Sequence, residues 1–184
     1  MKRKTTKEIL AESFRELAEQ KKIDKITVKE ITDNCGYSSA TFYRQFREKY
    51  DLIAWDYTKE LEQIMSGVNG SGTAWRQTLA EAARFFSERK GYLANLFLHT
   101  SGMEAFIGYM REMHFRSLKN AVERSAAGRT VDPLTDMYIR VYVLGTVQFI
   151  CEWILGQTKV SAEELAMVFE QTLPAPLQPY ICSE

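Results

Sequence analysis

The chain has 184 residues, 45% of them hydrophobic, which is enough to bury a real core and excludes a disordered tail. Its formal net charge is zero, and this alone argues against a nucleic-acid partner. The charges are unevenly placed, however, because residues 1–50 carry 12 Lys and Arg against 8 Asp and Glu, whereas residues 51–184 carry 12 against 16. A basic amino-terminal part before an acidic remainder is expected when one end of a protein meets DNA.

The three cysteines are widely spaced and form no CxxC pair or Cys/His cluster, so the sequence predicts neither a disulfide framework nor a zinc site. No metal and no cofactor is expected. Because no apolar signal segment follows the basic start, we expect a cytoplasmic protein. The most apolar stretch, residues 137–155, contains an arginine, a glutamine and a glutamate, which are costly in lipid, and we expect no membrane span.

Apolar residues recur at helical spacing along the chain, and no sustained alternation typical of strands is present, so the predicted fold class is all-α. The capping-box pattern of Thr27 and Glu30 begins a short second helix, and Ser38 is a plausible N-cap for a third helix that ends near Phe46. The other predicted helices are residues 6–21, 49–65, 74–89, 91–100, 103–126, 133–156 and 161–173.

The breaks between these helices are predicted from glycine, serine and proline. The Gly/Ser-rich residues 66–73 indicate a loop. Three prolines after Leu173 are expected to prevent any further helix. Further breaks are expected at Gly91, Gly102, Gly128, Arg129, Asp132, Pro133 and Gly156.

Two short helices around the turn glycine Gly36 predict a helix-turn-helix, in which the second helix lies in the major groove of DNA. Phe42 and Phe46 are four residues apart and are expected to face the core. The rest of this helix has the small and polar side chains that can approach base edges or phosphates. The predicted DNA-binding residues are Thr27, Tyr37, Ser38, Ser39, Ala40, Thr41, Tyr43, Arg44, Gln45 and Lys49.

At these residues the chain resembles the amino-terminal signature of the TetR family of transcription regulators, over roughly residues 6–55. The matching segments are residues 27–31, 35–38 and 41–46, followed by Lys49 and Leu52. Cys35 stands where the family more often has alanine, and Tyr37 stands in place of a small aliphatic residue, where it could add a phosphate contact or alter the turn.

The resemblance implies a DNA-binding domain in residues 1–50 and a helical effector-binding and dimerisation domain in residues 51–184. It also implies that residues 38–44 read the groove, while Thr27, Tyr43 and Lys49 contact the DNA backbone. Such a protein would bind a palindromic operator as a homodimer, under the control of a small molecule or a protein.

Two other classes of function are alternatives to this interpretation. The aromatic residues of the third helix could be only the core of a helical protein-interaction module that never meets DNA. That alternative leaves the exposed Ser/Thr/Arg face and the basic excess unexplained. An enzyme is not expected, because no phosphate-binding glycine loop, HExxH motif or nucleophile elbow is present and no catalytic residue can be named.

Beyond residue 55 the chain weakly resembles the subgroup of activators of dihydroxyacetone-kinase operons, through Trp75, Gly91 with its aromatic followers, and residues 152–156. Such activators would be able to respond to a protein partner.

The helix that covers residues 137–155 is apolar around nearly its whole circumference, so one face needs a second covering surface. A second subunit is expected there, and burial inside one subunit is the alternative. The predicted dimer residues are Tyr142, Gly145, Phe149, Trp153, Leu165 and Val168.

An effector pocket is expected among aromatic, methionine and histidine side chains of residues 75–114, because ligand pockets are largely apolar with a few polar groups. Ordinary core packing is the alternative for each of them. The candidate lining residues are Trp75, Phe86, Phe97, His99, Phe106, Tyr109, Met110, Met113 and His114.

Overall fold

A computed structural model describes residues 4–68, 71–99, 103–128 and 130–182. The described part of the chain forms ten α-helices and two short 3-10 turns without a β-strand, which confirms the all-α prediction. The α-helices are α1 (Thr6–Gln20), α2 (Val28–Asn34), α3 (Ser39–Gln45), α4 (Lys49–Met65), α5 (Gly72–Glu88), α6 (Lys90–His99), α7 (Met103–Ala126), α8 (Thr135–Ile154), α9 (Ala162–Gln171) and α10 (Gln178–Ile181).

Side-chain caps fix where several of these helices begin. Thr5 with Glu8, Thr27 with Glu30 and Ser161 with Glu164 each form a capping box at the starts of α1, α2 and α9. Ser38 and Ser71 each accept a hydrogen bond from a backbone N–H in the first turn of α3 and α5. These caps satisfy N–H groups that have no partner within the helix, which is why Thr27 and Ser38 could be predicted as helix starts from the sequence.

The structure differs from the predicted breaks at three places. Gly91 lies inside α6, and the interruption falls two residues earlier at Arg89. Gly72 and Thr73, expected in the loop, form the start of α5. The segment after Leu173 forms a 3-10 turn (Ala175–Leu177) and the short helix α10, although no helix was expected there. Proline is tolerated in the first turn of a helix because its missing N–H would have no partner there. The predicted breaks at Gly102 and Arg129, and residues 69–70 of the predicted loop, lie outside the described residues.

The chain divides into two compact units. The amino-terminal unit contains Met1–Glu60 and Gly91–Met103, and the carboxyl-terminal unit contains Leu61–Lys90 and Glu104–Glu184. This division differs from the one expected at residue 50, since it places most of α6 with the first three helices. The helix α4 contributes its first 12 residues to one unit and its last five to the other.

The amino-terminal unit has a continuous apolar core. Its most deeply buried side chains come from every element of the unit: Leu10, Phe14, Ile23, Ile26, Ile31, Phe42, Leu52, Leu93, Leu96 and Phe97. Asp56 of α4 is buried and accepts a 2.6 Å hydrogen bond from the guanidinium of Arg15 in α1. This pairing offsets the cost of burying a carboxylate, because the opposite charge is in direct contact.

Asn95 ties α6 to the 3-10 turn Ile23–Lys25 that follows α1. Its side-chain nitrogen donates to the carbonyl oxygens of Ala18 (2.7 Å) and Lys21 (2.8 Å), and its oxygen accepts from the backbone N–H of Ile23 at 3.3 Å. The end of α1 and the turn after it leave these backbone groups without helical partners. Asn95 therefore satisfies three of them at once.

In the carboxyl-terminal unit, α5, α8 and α9 pack together and polar contacts join them. The Arg76 guanidinium of α5 contacts the Glu170 carboxylate of α9 at 2.9 Å, and the Tyr142 hydroxyl of α8 donates to the Phe169 carbonyl at 2.6 Å. Among the residues that the structure describes, no helix is long and apolar enough to cross a membrane.

We expect Asn95→Ala to lower the free energy of unfolding by about 1–3 kcal/mol, because it leaves two carbonyls and an N–H of the α1–α2 connection without their partners. Urea unfolding followed by circular dichroism measures this loss. Asn120→Ala, which truncates an exposed asparagine of α7, is the control and should change stability little. Equal stability of the two variants would contradict the role of Asn95.

Candidate functional site

The helix α3 divides its side chains between core and solvent as the sequence predicted. Phe42 is fully buried and Phe46, directly after the helix, is 5% exposed. On the opposite face Tyr43 is 60% exposed, and Ala40 and Arg44 are also exposed. Tyr43 packs edge-on against Phe42, with ring centroids 5.6 Å apart. The exposed face is therefore formed by short or polar side chains on a helix whose own core contacts are aromatic.

The turn before α3 determines how that face is presented. Gly36 has φ of 71°, in the left-handed region that side-chain-bearing residues rarely adopt. The Tyr37 N–H then donates to the Thr32 carbonyl at 2.8 Å, which closes the turn onto α2. The Ser38 hydroxyl caps α3 by accepting from the Thr41 N–H at 3.2 Å. Tyr37, Ser39, Thr41 and Gln45 are half-buried.

Two predicted phosphate-contacting residues already have internal hydrogen-bond partners. The Thr27 hydroxyl donates to the Glu30 carboxylate at 2.8 Å within the capping box of α2. The Lys49 ammonium donates to the carbonyl oxygens of Ile23 (2.8 Å), Asp24 (3.0 Å) and Ile26 (2.8 Å). Burial of this ammonium lowers the pKa of Lys49 below its ordinary value. All three of its N–H donors hold the turn between α1 and α2 in place.

Arg44 contributes an exposed positive charge to this surface. Lys29 and Arg47 are each paired with an aspartate four residues later, Asp33 and Asp51. Among the described residues, Arg44 forms no hydrogen bond or ion pair. A free guanidinium has five donors in a planar fork, which matches both phosphate oxygens and the edge of a guanine base.

A cavity of about 70 Å³ lies in the carboxyl-terminal unit. Its lining is mostly apolar and comes from α4, α5, α7, α8 and α9. The predicted pocket residues Trp75, Phe86 and His114 line it, and Phe86 stacks on His114 with centroids 6.3 Å apart. Burial among these side chains lowers the pKa of His114 to about 4, so the imidazole is neutral near pH 7.

The other predicted pocket residues do not line this cavity. Phe97 and His99 belong to the amino-terminal unit, where Phe97 is 1% exposed. Phe106, Met110 and Met113 are buried core residues of α7, and Tyr109 stacks on Phe106 with centroids 6.4 Å apart. Local spacing marked these side chains as apolar, but it carried no information on which of them would border an empty space.

The predicted dimer residues also separate into two groups. Tyr142, Trp153 and Leu165 are buried within their own unit, since Tyr142 bonds to Phe169 and the Trp153 Nε1–H donates to the Val160 carbonyl at 2.8 Å. Gly145 is exposed, Phe149 is 51% exposed and Val168 is 46% exposed. Sequence reasoning missed five other exposed apolar residues of these two helices: Met137, Tyr138, Val141, Leu144 and Met167.

Two family models match the chain. The model described as "Bacterial regulatory proteins, tetR family" matches residues 9–54, which include α2 and α3. The model described as "Transcriptional regulator C-terminal region" matches residues 73–174. A curated relative, the HTH-type dhaKLM operon transcriptional activator DhaS of Lactococcus lactis subsp. lactis (strain IL1403), is 22% identical over 101 residues. That match covers 55% of this chain and 54% of the relative, so the chain spans about half the length of the curated relative it matches.

Solved structures show the same fold over nearly the whole chain. A dihydroxyacetone kinase operon activator DhaS has a TM-score of 0.72 at 17% identity and covers 96% of this chain and 98% of its own. A TetR transcriptional regulator from Rhodococcus sp. RHA1 has a TM-score of 0.62 at 18% identity, covering 92% of this chain and 94% of its own. The fatty acid degradation regulator FadR from Bacillus halodurans has a TM-score of 0.59 at 14% identity, with 94% and 96% covered.

The lowered pKa of His114 predicts a pH dependence of stability. In the unfolded chain its pKa returns to about 6.5, so the unfolded state binds more protons between pH values of about 6.5 and 4. The free energy of unfolding should therefore fall as the pH is lowered through this range, by up to about 1.4 kcal/mol per pH unit. Urea unfolding at several pH values measures the slope.

A variant of His114 and a variant without a titratable side chain are compared in this test. His114→Gln should flatten the slope in this pH range, whereas Asn120→Ala, the control used above, should leave it unchanged. A slope that is as steep in His114→Gln as in the unmodified protein would show that His114 is not its source.

Proposed function

The chain belongs to the tetR family of bacterial regulatory proteins, and we propose that it binds a palindromic DNA operator as a homodimer whose affinity an effector controls. The observation that carries this proposal is the exposed face of α3, where Ala40, Tyr43 and Arg44 point away from a buried aromatic anchor. A helix held in this way behind a tight turn can enter the major groove of duplex DNA. Because such a regulator acts on DNA, we also propose that it is cytoplasmic.

Within this surface we assign different roles to the cations. Arg44 is free to donate to a base edge or to a phosphate. Lys49 supports binding indirectly, because its ammonium is occupied by the carbonyls of the turn that precedes α2. Thr27 and Ser38 support it in the same way through their caps, which fix the ends of α2 and α3. Tyr43 presents its hydroxyl to the phosphate backbone, a contact that sets position without reading sequence.

The homodimer is supported by the apolar surface that α8 and α9 leave exposed. Val141 is 70% exposed, Met137 62% and Leu144 51%, and the three residues follow one another at helical spacing. Met167 and Val168 of α9 are about half exposed. Such contiguous apolar surface is costly in water and is typical of subunit interfaces. The proposed dimer surface therefore keeps Gly145, Phe149 and Val168 and excludes the buried Tyr142, Trp153 and Leu165.

The symmetry of a dimer explains why the operator should be palindromic. Two copies of α3 related by a two-fold axis meet two equivalent half-sites, which lie about 34 Å or a multiple apart on one face of DNA. Selection of bound duplexes from a random pool by the purified protein tests this proposal directly. We expect an inverted repeat to be enriched. Failure to enrich any sequence, with no binding to random DNA at low salt, would favour a protein-interaction module instead.

Once an operator has been selected, substitutions of Arg44 and Lys49 separate base reading from positioning. Arg44→Ala should weaken binding to the operator by about 1–3 kcal/mol and binding to random DNA much less, because a lost base contact affects only the preferred sequence. Lys49→Ala should weaken binding to both DNAs alike. It should also lower the free energy of unfolding by at least about 1 kcal/mol, because it removes three hydrogen bonds from a charged donor.

Fluorescence anisotropy with labelled operator and random duplexes measures both affinities, and urea unfolding measures stability. Equal losses on the two DNAs for Arg44→Ala would assign this residue to the phosphate backbone. Unchanged stability of Lys49→Ala would contradict the positioning role of Lys49.

The proposed dimer surface predicts which added charges separate the subunits. Val141→Glu and Phe149→Glu should each convert the dimer to monomers, because an interface would bury an unpaired carboxylate. Both positions are exposed within the chain, so the monomer should remain folded. Leu98→Glu is the matched control, since Leu98 of α6 is 62% exposed and lies in the amino-terminal unit.

Sedimentation equilibrium at micromolar concentration gives the mass of each variant. The control should remain dimeric. A monomeric unmodified protein, or dimers that persist in both glutamate variants, would contradict this interface.

A further inference from the structure

We propose that the cavity of the carboxyl-terminal unit binds a small, neutral, mostly apolar molecule whose oxygen atom accepts a hydrogen bond from the indole Nε1–H of Trp75. This inference deepens the effector control proposed above and depends on it only for the link to DNA. It rests on an unpaired donor, on the absence of charge among the residues that line the cavity, and on the size of the space.

The unpaired donor is the Nε1–H of Trp75. Trp75 is 3% exposed and lines the cavity, and its Nε1 has no hydrogen-bond partner among the described residues. A buried N–H without a partner is costly, because its hydration has been lost and not replaced. The other buried nitrogen in this condition, the Nε of Arg111, does not line the cavity. An acceptor atom placed in the cavity would give the indole the partner that it lacks.

The hydroxyl groups around the cavity already donate elsewhere. The Thr78 hydroxyl donates to the Ala74 carbonyl at 2.9 Å, the Thr146 hydroxyl to the Tyr142 carbonyl at 2.9 Å, and the Tyr142 hydroxyl to the Phe169 carbonyl. These protons are not available to a ligand without loss of a hydrogen bond inside the unit. Among the described residues that line the cavity, Trp75 supplies the buried donor without a partner, and this donor favours a ligand with an acceptor such as a carbonyl or ether oxygen.

The charge of the ligand follows from the same lining. No Asp, Glu, Lys or Arg is among the residues that line the cavity, and His114 is neutral near pH 7. A charged ligand would lose its hydration here without gaining an opposite charge, which is strongly unfavourable. The cavity thus excludes carboxylates, phosphates and amines in their ionised forms.

Its size limits the ligand further. A cavity of about 70 Å³ exceeds the roughly 15 Å³ that one water needs and is well below the roughly 300–1,000 Å³ typical of pockets for drug-sized ligands. One water at Trp75 would leave most of the apolar lining without contacts. A small cyclic ketone combines the required acceptor with an apolar body that can cover the lining.

Cyclohexanone and methylenecyclohexane are a matched pair of probes, because they have the same ring but only the ketone has an acceptor oxygen. In ¹H–¹⁵N spectra of the full chain, the indole signals of Trp55, Trp75 and Trp153 can be followed separately. Cyclohexanone should shift the Trp75 Nε1–H signal in a saturable manner to the frequency of a hydrogen-bonded indole. Trp153, which already donates to Val160, should not shift. The ratio of the affinities for cyclohexanone and methylenecyclohexane in the unmodified protein is the reference for the variants, because the two probes differ in hydration as well as in the acceptor oxygen.

Two variants test the donor and the space separately. Trp75→Phe removes the N–H and should lower the ratio of ketone affinity to alkene affinity about tenfold, which corresponds to about 1.4 kcal/mol; the difference in hydration between the probes cancels in this comparison. Ala82→Ile fills part of the cavity and leaves Trp75 in the chain, so it should abolish binding of both probes. Trp55→Phe alters a tryptophan of the amino-terminal unit and should bind both probes as the unmodified protein does.

Absence of a saturable shift at Trp75, or an affinity ratio for the two probes that Trp75→Phe leaves unchanged, would overturn the inference. Because the spectra are recorded without DNA, this outcome is separate from failure of the operator selection, which would contradict the proposed function and leave the ligand site standing. If both succeed, cyclohexanone should change the affinity for the operator. The operator must then change the affinity for cyclohexanone by the same factor.

Discussion

The connection between α1 and α2 has to satisfy several backbone groups that neither helix can satisfy, and two distant side chains do so. Asn95, from α6, bonds to Ala18, Lys21 and Ile23, and Lys49, from the start of α4, donates to the carbonyls of the turn. Unpaired buried backbone groups are strongly avoided, so this short turn depends on residues 23 to 77 positions later. The helix-turn-helix follows directly after it, and its position in the amino-terminal unit depends on the same contacts.

This dependence explains why α6 belongs to the compact amino-terminal unit although α5 and α7 on either side of it do not. Leu93, Leu96 and Phe97 add buried surface to the core of that unit, and the ring of Tyr92 meets that of Phe14 edge-on at 6.2 Å. The hydrogen bonds of Asn95 restrict how α6 can be oriented in this apolar packing, because hydrogen bonds require defined angles whereas apolar burial is non-directional. A segment that lies in the regulatory part of the sequence is thus a structural part of the proposed DNA-binding unit.

The features that could be predicted from sequence were those with local causes. The capping box of Thr27 and Glu30, the turn at Gly36 and the faces of α3 each depend on residues within one or two turns, and the structure confirms all three. The TetR family and the all-α fold were predicted for the same reason, since the motif at residues 27–52 is local. The internal partners of Lys49 and the role of Asn95 could not be predicted, because they depend on contacts between residues far apart in sequence.

The carboxyl-terminal predictions were less precise for a related reason. The sequence pattern showed that α8 is apolar on several faces. It did not show which of these faces are buried by other helices of the same chain. Tyr142 and Trp153 were therefore assigned to a partner although they bond within their own unit, while the more exposed Val141 was missed. In the same way, aromatic density indicated a pocket, but only three of nine candidates border the cavity. Cavities are defined by what packing fails to fill, and no local pattern encodes that.

The helix α4 contributes residues both to the support of the proposed DNA surface and to the cavity. Its first residue, Lys49, holds the turn before the helix-turn-helix, and its last turns supply Leu61, Ile64 and Met65 to the cavity lining. The proposed effector control requires two arrangements of the protein that bind the ligand with different affinities. The unpaired N–H of Trp75 would supply such a difference if only one arrangement brings the ligand's oxygen within its reach.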